Sequence, residues 1–170
     1  IKNNLFIQNL ASSIISLIPA YLEFSISKYL AIKKAMLITA QDDTRGSYLE
    51  FGVFTGSSFN YAMKVNKRIE KLGYKNMDCE FVGFDSFKGF GHIKKDDEHP
   101  NYKDNVFSVN EEKVLRNIEK CAKGQKYRII KGFYKDTIKN KTTKDLKIDK
   151  AKIVMLDCDL KEPTTLALEF

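Results

Sequence analysis

Two carboxylates separated by one residue, Asp157 and Asp159, close a strongly apolar segment that is predicted to be a strand over 151–157. Such a pair can share a hard divalent cation, which prefers oxygen ligands. Alternatively, one carboxylate binds the metal while the other acts as a general base. A capping acid and a structural hydrogen bond would explain the same spacing. The pair is the most reactive combination of residues in the sequence, and these alternatives stay open.

Two further predicted strands also carry an acid at or near their carboxyl ends. Glu50 lies near the end of the strand predicted over 48–53, and Asp85 ends the strand predicted over 79–85. Ligands of parallel α/β sheets bind outside the carboxyl ends of the strands, where an acid after the second strand usually binds a ribose diol. A helix N-cap is the alternative role for Asp85. Acids on three of the four predicted strands therefore indicate a ligand site at one sheet edge.

Glycines interrupt the chain directly after the first predicted strand. Gly52 and Gly56 precede a helix predicted over 57–72, which Ser57 or Ser58 could cap by accepting a bond from an unpaired N–H group. A glycine-bearing turn before a helix N-terminus lets the polar end of a ligand reach free N–H groups. The spacing E-x-G-x-x-x-G differs from the G-x-G-x-x-G of dinucleotide oxidoreductases, which disfavours a nicotinamide-dependent enzyme.

The elements that would position these residues alternate along the chain, which predicts βαβ units and an α/β fold with a doubly wound, Rossmann-like parallel sheet. We divide the chain into an N-terminal helical segment, 1–46, and a Rossmann-like domain, 47–170. In the second helix an apolar stripe is predicted to pack on the domain. It consists of Leu22, Ile26, Tyr29, Leu30 and Leu37. The helices are predicted at 4–17, 22–40, 57–72, 109–123, within 133–147 and from 163, and the strands at 48–53, 79–85, 127–131 and 151–157.

A long polar loop is predicted over 86–105, which is too long for a bare connection and indicates a lid, a recognition loop or disorder. It contains His92, His99, Asp96 and Asp97. The histidines could act as a base or as ligands, but solvated loop residues are the more ordinary explanation.

Composition excludes several functional classes. The 170 residues carry a net charge of +7 that comes from dispersed lysine, with only four arginines, so no nucleic-acid footprint is indicated. Three widely spaced cysteines favour a reducing, cytoplasmic location over a disulfide framework. The apolar segment 10–22 is too short to span a bilayer, and no signal peptide precedes it. The start at Ile1 and the stop at Phe170 within a helical pattern suggest a fragment of a longer protein.

Four segments together resemble the macrocin O-methyltransferase (TylF-type) family of S-adenosylmethionine-dependent enzymes. They are LEFGVFTGS at 49–57, VGFDSFKG at 82–89, KGFYKDT at 131–137 and MLDCDL at 155–160. They occur in order and cover the chain from about Ser47 to its end. The resemblance implies a class I methyltransferase fold, with transfer of a methyl group to a hydroxyl of a small molecule, often a sugar on a natural product.

The resemblance also implies roles for individual residues. Glu50, Gly52 and Gly56 would line the methionine end of the cofactor, next to Ser57. Asp85 would hold the ribose with Ser86 beside it, while Ser108 and Asp136 would lie towards the adenine. Asp157 would bind Mg²⁺, and Asp159 would be the general base. A hydroxyl is a poor nucleophile near neutral pH, so a cation and a base suit this reaction.

The sequence departs from the family pattern at one position, and a further part of that pattern would lie after its last residue. Lys161 stands where the family usually has tyrosine, and the family's further pair of metal-binding aspartates would follow Phe170. A truncated sheet would expose an edge, and a homo-oligomer covering that edge is one hypothesis. A non-catalytic, nucleoside-binding fragment is the alternative function. A nucleic-acid methyltransferase has only the lysine content in its favour.

Overall fold

Helices and strands alternate along the chain as the sequence predicts. The computed structural model describes residues 4–74, 78–93, 95, 100, 102–104 and 106–170. The helices are α1 (Leu5–Ser16), α2 (Ala20–Gln41), α3 (Ser57–Lys71), α4 (Glu111–Ala122), α5 (Tyr134–Thr137) and α6 (Lys161–Glu169). The strands are β1 (Ser47–Phe51), β2 (Phe81–Asp85), β3 (Tyr127–Lys131) and β4 (Ala151–Leu156).

The four strands form one parallel sheet in the order β3-β2-β1-β4. From β1 the chain first extends the sheet through β2 and β3, and it then returns to place β4 on the other side of β1. The order therefore reverses between β1 and β4, which is where open α/β sheets leave a crevice for ligands. The predicted α/β fold with a doubly wound parallel sheet is confirmed.

Side chains of β1 alternate between two helical layers. Tyr48 packs into a core shared with α2, α3 and α4, whereas Leu49 and Phe51 face a second core shared with α5 and α6. In the second core the ring of Phe51 stacks on that of Phe84 with centroids 4.4 Å apart. Helices thus cover β1 on both faces, as its apolar sequence requires.

Helix α2 packs through a stripe that matches the predicted one only at Tyr29 and Leu37. Leu22 and Leu30 are exposed, while Ile32 and Met36 are buried against the core that contains α3. Tyr29 does contact this layer, because its ring centroid lies 4.7 Å from that of Tyr61 on α3. Ile32 and Met36 therefore define the buried face of the helix. This orientation determines which polar residues of α2 reach the carboxyl edge of the sheet.

The start of α3 also corrects the prediction. Gly56 is the N-cap residue, with φ of 77°, and no side chain caps the helix. The Ser58 hydroxyl instead donates a hydrogen bond to Glu50. A left-handed φ is unfavourable for residues with a Cβ, so glycine is needed where the chain leaves β1 for α3.

The outer parts of the chain carry exposed apolar side chains. Helix α1 has no buried residue, and Asn4 caps it by accepting a hydrogen bond from the Ile7 N–H. Val154 and Leu156 are exposed on β4, at one edge of the sheet. Within the described ranges, none of the helices combines the length and the apolar character that a membrane span needs.

Candidate functional site

A cavity of about 500 Å³ opens at the carboxyl ends of the strands. Its wall combines the loops that follow β1, β2, β3 and β4 with one turn of α2. Six of the predicted site residues contribute to this wall: Gly52, Ser57, Asp85, Ser86, Asp157 and Asp159. Residues from five separate parts of the chain therefore meet at the topological switch point, where the sheet leaves room for a ligand.

Asp85 ties two loops of the cavity together. Its Oδ2 accepts a hydrogen bond of 2.7 Å from the Phe54 N–H, and its Oδ1 accepts one of 2.7 Å from the Phe87 N–H. Phe54 and Phe87 have positive φ values of 49° and 57°, which non-glycine residues rarely adopt. A carboxylate has about four acceptor positions, so each oxygen retains capacity for a ligand hydroxyl. Asp85 is thus fixed in place and still able to accept.

Gly52 allows β1 and β4 to approach each other at their ends. Its φ is 94°, and a Cβ at this position would lie 2.1 Å from the carbonyl oxygen of Asp157. The two chains are joined here because the Asp157 N–H donates to the Phe51 carbonyl at 2.9 Å. Glycine is therefore required for the close packing that brings Asp157 to the cavity, independently of any contact with a ligand.

Glu50 lies beneath the cavity rather than in its wall. The side chain is fully buried and accepts hydrogen bonds from the Tyr48 hydroxyl, at 2.6 Å, and the Ser58 hydroxyl, at 2.7 Å. Burial raises the pKa of Glu50 to about 7, although both hydrogen bonds favour the ionised form. In this structure Glu50 connects β1 to the first turn of α3 and does not line the cavity.

Asp157 and Asp159 lie side by side at the end of β4. The Lys28 ammonium, on α2, lies 2.5 Å from Asp157 Oδ2, and both side chains are a little over one-third exposed. Asp159 is exposed and has a φ of 61°. Partial burial and the neighbouring Asp157 charge raise the pKa of Asp159, and Lys28 opposes this effect. A raised pKa makes a carboxylate a better proton acceptor near neutral pH.

The donor set does not by itself fit Mg²⁺. Over the described part of the chain, no three side chains of His, Cys, Asp or Glu are grouped so that they could hold a metal ion. Asp157 and Asp159 supply two carboxylates, and one oxygen of Asp157 is already paired with the Lys28 ammonium. Mg²⁺ demands near-octahedral oxygen coordination, which this arrangement lacks.

Aromatic rings form much of the remaining wall. Phe107 makes edge contacts with Phe54 and Phe90, with ring centroids 5.4 and 5.2 Å apart, and all three line the cavity. Phe133 and Tyr134 continue the wall into a neighbouring cavity of about 400 Å³. Flat, apolar surfaces of this kind suit a planar ring.

Besides Glu50, three predicted cofactor-binding residues lie outside the cavity wall: Gly56, Ser108 and Asp136. A Cβ on Gly56 would contact the side chains of Val114 and Ile118, so this glycine serves the packing of α3 on α4. Ser108 is exposed and forms an isolated antiparallel bridge with Lys88. Asp136 is exposed on α5.

The polar loop predicted over 86–105 contributes Ser86, Gly89 and Phe90 to the cavity wall, and His92 to the wall of the neighbouring cavity. His92 is largely exposed, with Nδ1 3.5 Å from Asp104 Oδ2. His99, Asp96 and Asp97 lie outside the described residues.

Sequence reasoning missed Lys28 and Phe54. Nothing in the sequence around Lys28 marks it, because its partner Asp157 is 129 residues away. Phe54 lies within the glycine-rich turn, where its backbone N–H and its left-handed conformation carry the contact with Asp85.

The architecture is that of a class I methyltransferase. A model of the macrocin O-methyltransferase (TylF) family matches residues 27–170. The chain therefore belongs to this family of methyltransferases, and the family prediction is confirmed.

Solved structures agree on the fold. The calicheamicin methyltransferase CalS11 is 18% identical with a TM-score of 0.70, covering 98% of this chain and 66% of CalS11. The O-methyltransferase NovP is 21% identical with a TM-score of 0.67, covering 85% of this chain and 58% of NovP. An apo structure of CalS11, a TDP-rhamnose 3'-O-methyltransferase, is 20% identical with a TM-score of 0.53, covering 95% of this chain and 63% of that one. This chain thus spans about three-fifths of their lengths, and no curated protein matches it.

Proposed function

We propose that the protein is an S-adenosylmethionine-dependent O-methyltransferase that acts on a hydroxyl of a small molecule. The observation that carries the proposal is Asp85, which is held by two backbone N–H groups at the end of β2 and lines the cavity. An acid at this position in a doubly wound sheet suits the ribose of a nucleoside cofactor. Membership of the TylF family supports the same cofactor.

The residues of the cavity fit such a cofactor. Asp85 retains acceptor capacity for ribose hydroxyls, and Ser86 lies beside it. Ser57, in the first turn of α3, also lines the cavity, and a carboxylate group there would meet the helix N-terminus. Phe90, Phe107 and the neighbouring rings offer apolar surface to an adenine. The cofactor, when bound, supplies the methyl group.

At the acceptor end we assign Asp159 as the general base. It is exposed to the cavity, and its raised pKa suits acceptance of the hydroxyl proton as the acceptor oxygen is methylated. A sugar is the acceptor class that we favour, because one structural neighbour, CalS11, is a TDP-rhamnose 3'-O-methyltransferase. A small-molecule acceptor also fits a cavity of about 500 Å³ better than a nucleic acid would.

The sequence predicts that Mg²⁺ assists the reaction. The described carboxylates do not complete a site for this ion, so no step of the proposed reaction is derived from it. A cytoplasmic location is part of the proposal and is supported by Cys79, Cys121 and Cys158, all of which are free thiols. A homo-oligomer is also proposed, with the exposed edge strand β4 in its support.

Calorimetric titration of S-adenosylhomocysteine tests the cofactor assignment, with NAD as the competing nucleotide. We expect saturable binding of S-adenosylhomocysteine alone. Asp85→Ala should weaken it by about ten-fold or more, because a hydrogen bond to a charged group contributes about 1.5–3 kcal/mol. Asp78→Ala is the matched control, since Asp78 is exposed near the opposite end of β2.

Two results would count against the proposal. Equal affinity of wild type and Asp85→Ala would remove Asp85 from the cofactor site. Saturable binding of NAD with none of S-adenosylhomocysteine would favour a nicotinamide-dependent enzyme. If S-adenosylhomocysteine binds but the full-length protein transfers no methyl group to any sugar hydroxyl offered, a non-catalytic nucleoside-binding protein becomes the better description.

A further inference from the structure

Helix α2 brings a positive charge into the candidate transfer site. Lys28 and Ser25 both line the cavity, although they precede the Rossmann-like part of the chain. Among the described residues that form this wall, Lys28 is the only basic side chain. Its position follows from the packing of α2 on α3 through Ile32 and Met36, one and two turns further along the helix.

Three carboxyl groups lie within electrostatic range of the Lys28 ammonium. It forms an ion pair with Asp157, and its charge also acts on Asp159 and on the buried Glu50. Like charges in a partly desolvated site repel each other unless a cation offsets them. Lys28 offsets that repulsion here and holds one oxygen of Asp157 in a fixed position.

We propose that Lys28 is a positioning residue of the transfer site, and that its ammonium is the cation held at Asp157 in place of Mg²⁺. This inference rests on the proposed function, because it concerns the charge of the site that we assign to the acceptor. A divalent cation at Asp157 would lie next to the Lys28 ammonium, which is bonded to Oδ2, and the two positive charges would repel each other. The N-terminal helical segment thereby supplies a functional group to the site.

The test uses the full-length protein that contains this chain and Mg²⁺ alone as the probe. Calorimetry measures Mg²⁺ binding to each protein with and without the further substitution Asp157→Asn. The binding that this substitution abolishes is the Asp157-dependent component. In this component, the affinity of Lys28→Met for Mg²⁺ should exceed that of wild type by about ten-fold or more, because the ammonium that repels the added cation is absent. Lys28→Arg keeps the charge and should behave as wild type does.

Lys34→Met is the matched control, because Lys34 lies on the same helix, is exposed and is outside the cavity wall. It should leave Mg²⁺ affinity unchanged. The affinity for S-adenosylhomocysteine, measured in parallel, should change less than about three-fold in Lys28→Met, because Lys28 lies at the acceptor end of the cavity. A melting curve of each variant establishes that it is folded.

Two outcomes would overturn the inference. One is Asp157-dependent Mg²⁺ binding that is as tight in wild type as in Lys28→Met. The other is an equal response of Lys28→Met and Lys34→Met. Failure of wild type to bind S-adenosylhomocysteine would instead contradict the proposed function, and the Mg²⁺ comparison would still decide whether Lys28 holds the cation position.

Discussion

Replacement of the buried Glu50 carboxyl by the amide of glutamine should remove a pH dependence of folding stability. The pKa of Glu50 is about 7 in the folded protein, against 4.5 for an unperturbed glutamate, and burial is the main cause. Between these two pH values the folded state retains a proton that the unfolded state has released. Stability should therefore fall as pH rises from about 4.5 to about 7. The gap corresponds to about 3 kcal/mol, a large part of the stability of a small domain.

Glutamine preserves the packing around position 50. The Glu50 oxygens accept from the hydroxyls of Tyr48 and Ser58, and a hydroxyl can both donate and accept. The amide can therefore accept from one hydroxyl and donate to the other. The substitution removes the ionisation with little change in volume.

Urea unfolding of wild type and Glu50→Gln, followed by circular dichroism at pH 5, 6, 7 and 8, measures the effect. The free energy of unfolding of Glu50→Gln should rise relative to wild type by about 2–3 kcal/mol from pH 5 to pH 8. Glu70→Gln removes an exposed carboxylate from α3 and should follow wild type at every pH. Parallel curves for wild type and Glu50→Gln would refute the argument that burial dominates the pKa of this group.

Two further predictions concern the sheet edge. Gly52→Ala should lower the free energy of unfolding by at least about 2 kcal/mol, since the new Cβ would meet the Asp157 carbonyl as well as an unfavourable φ. Gly73 also has a positive φ, but a Cβ there would meet no other atom. In chemical denaturation, Gly73→Ala should therefore lower the free energy of unfolding by only about 1 kcal/mol. Equal losses in the two variants would show that the contact with the Asp157 carbonyl does not contribute. Asp159→Asn should reduce methyl transfer by the full-length protein about 100-fold or more without changing S-adenosylhomocysteine affinity, because asparagine tolerates the φ of 61° at this position. Undiminished transfer would exclude Asp159 as the base.

The sheet could be predicted from the sequence because the residue patterns that define its strands are local. Each strand is a short apolar run ended by glycine or an acid, and the alternation with helices gives a parallel sheet. The buried face of α2 is predicted only in part. Tyr29 and Leu37 do pack towards the core, but apolar residues occur on several sides of that helix, and only its contact with α3 selects Ile32 and Met36. The pairing of Lys28 with Asp157 depends on the same contact, so no local pattern could reveal it.

The sequence alone makes the three acids at the strand ends look equivalent, but only Asp85 and Asp157 line the cavity and Glu50 does not. Asp85 is the last residue of β2 and Asp157 follows β4, so both lie where the chain leaves the sheet and both reach the cavity. Glu50 lies two residues further back in the register of the sheet, because it pairs with Gly83 and Met155. Alternation along β1 then directs its side chain to the same face as Tyr48, beneath α3. Two residues of register thus separate the acid that stabilises the β1–α3 junction from the acids that line the cavity, and substitutions at these positions should affect stability and binding separately.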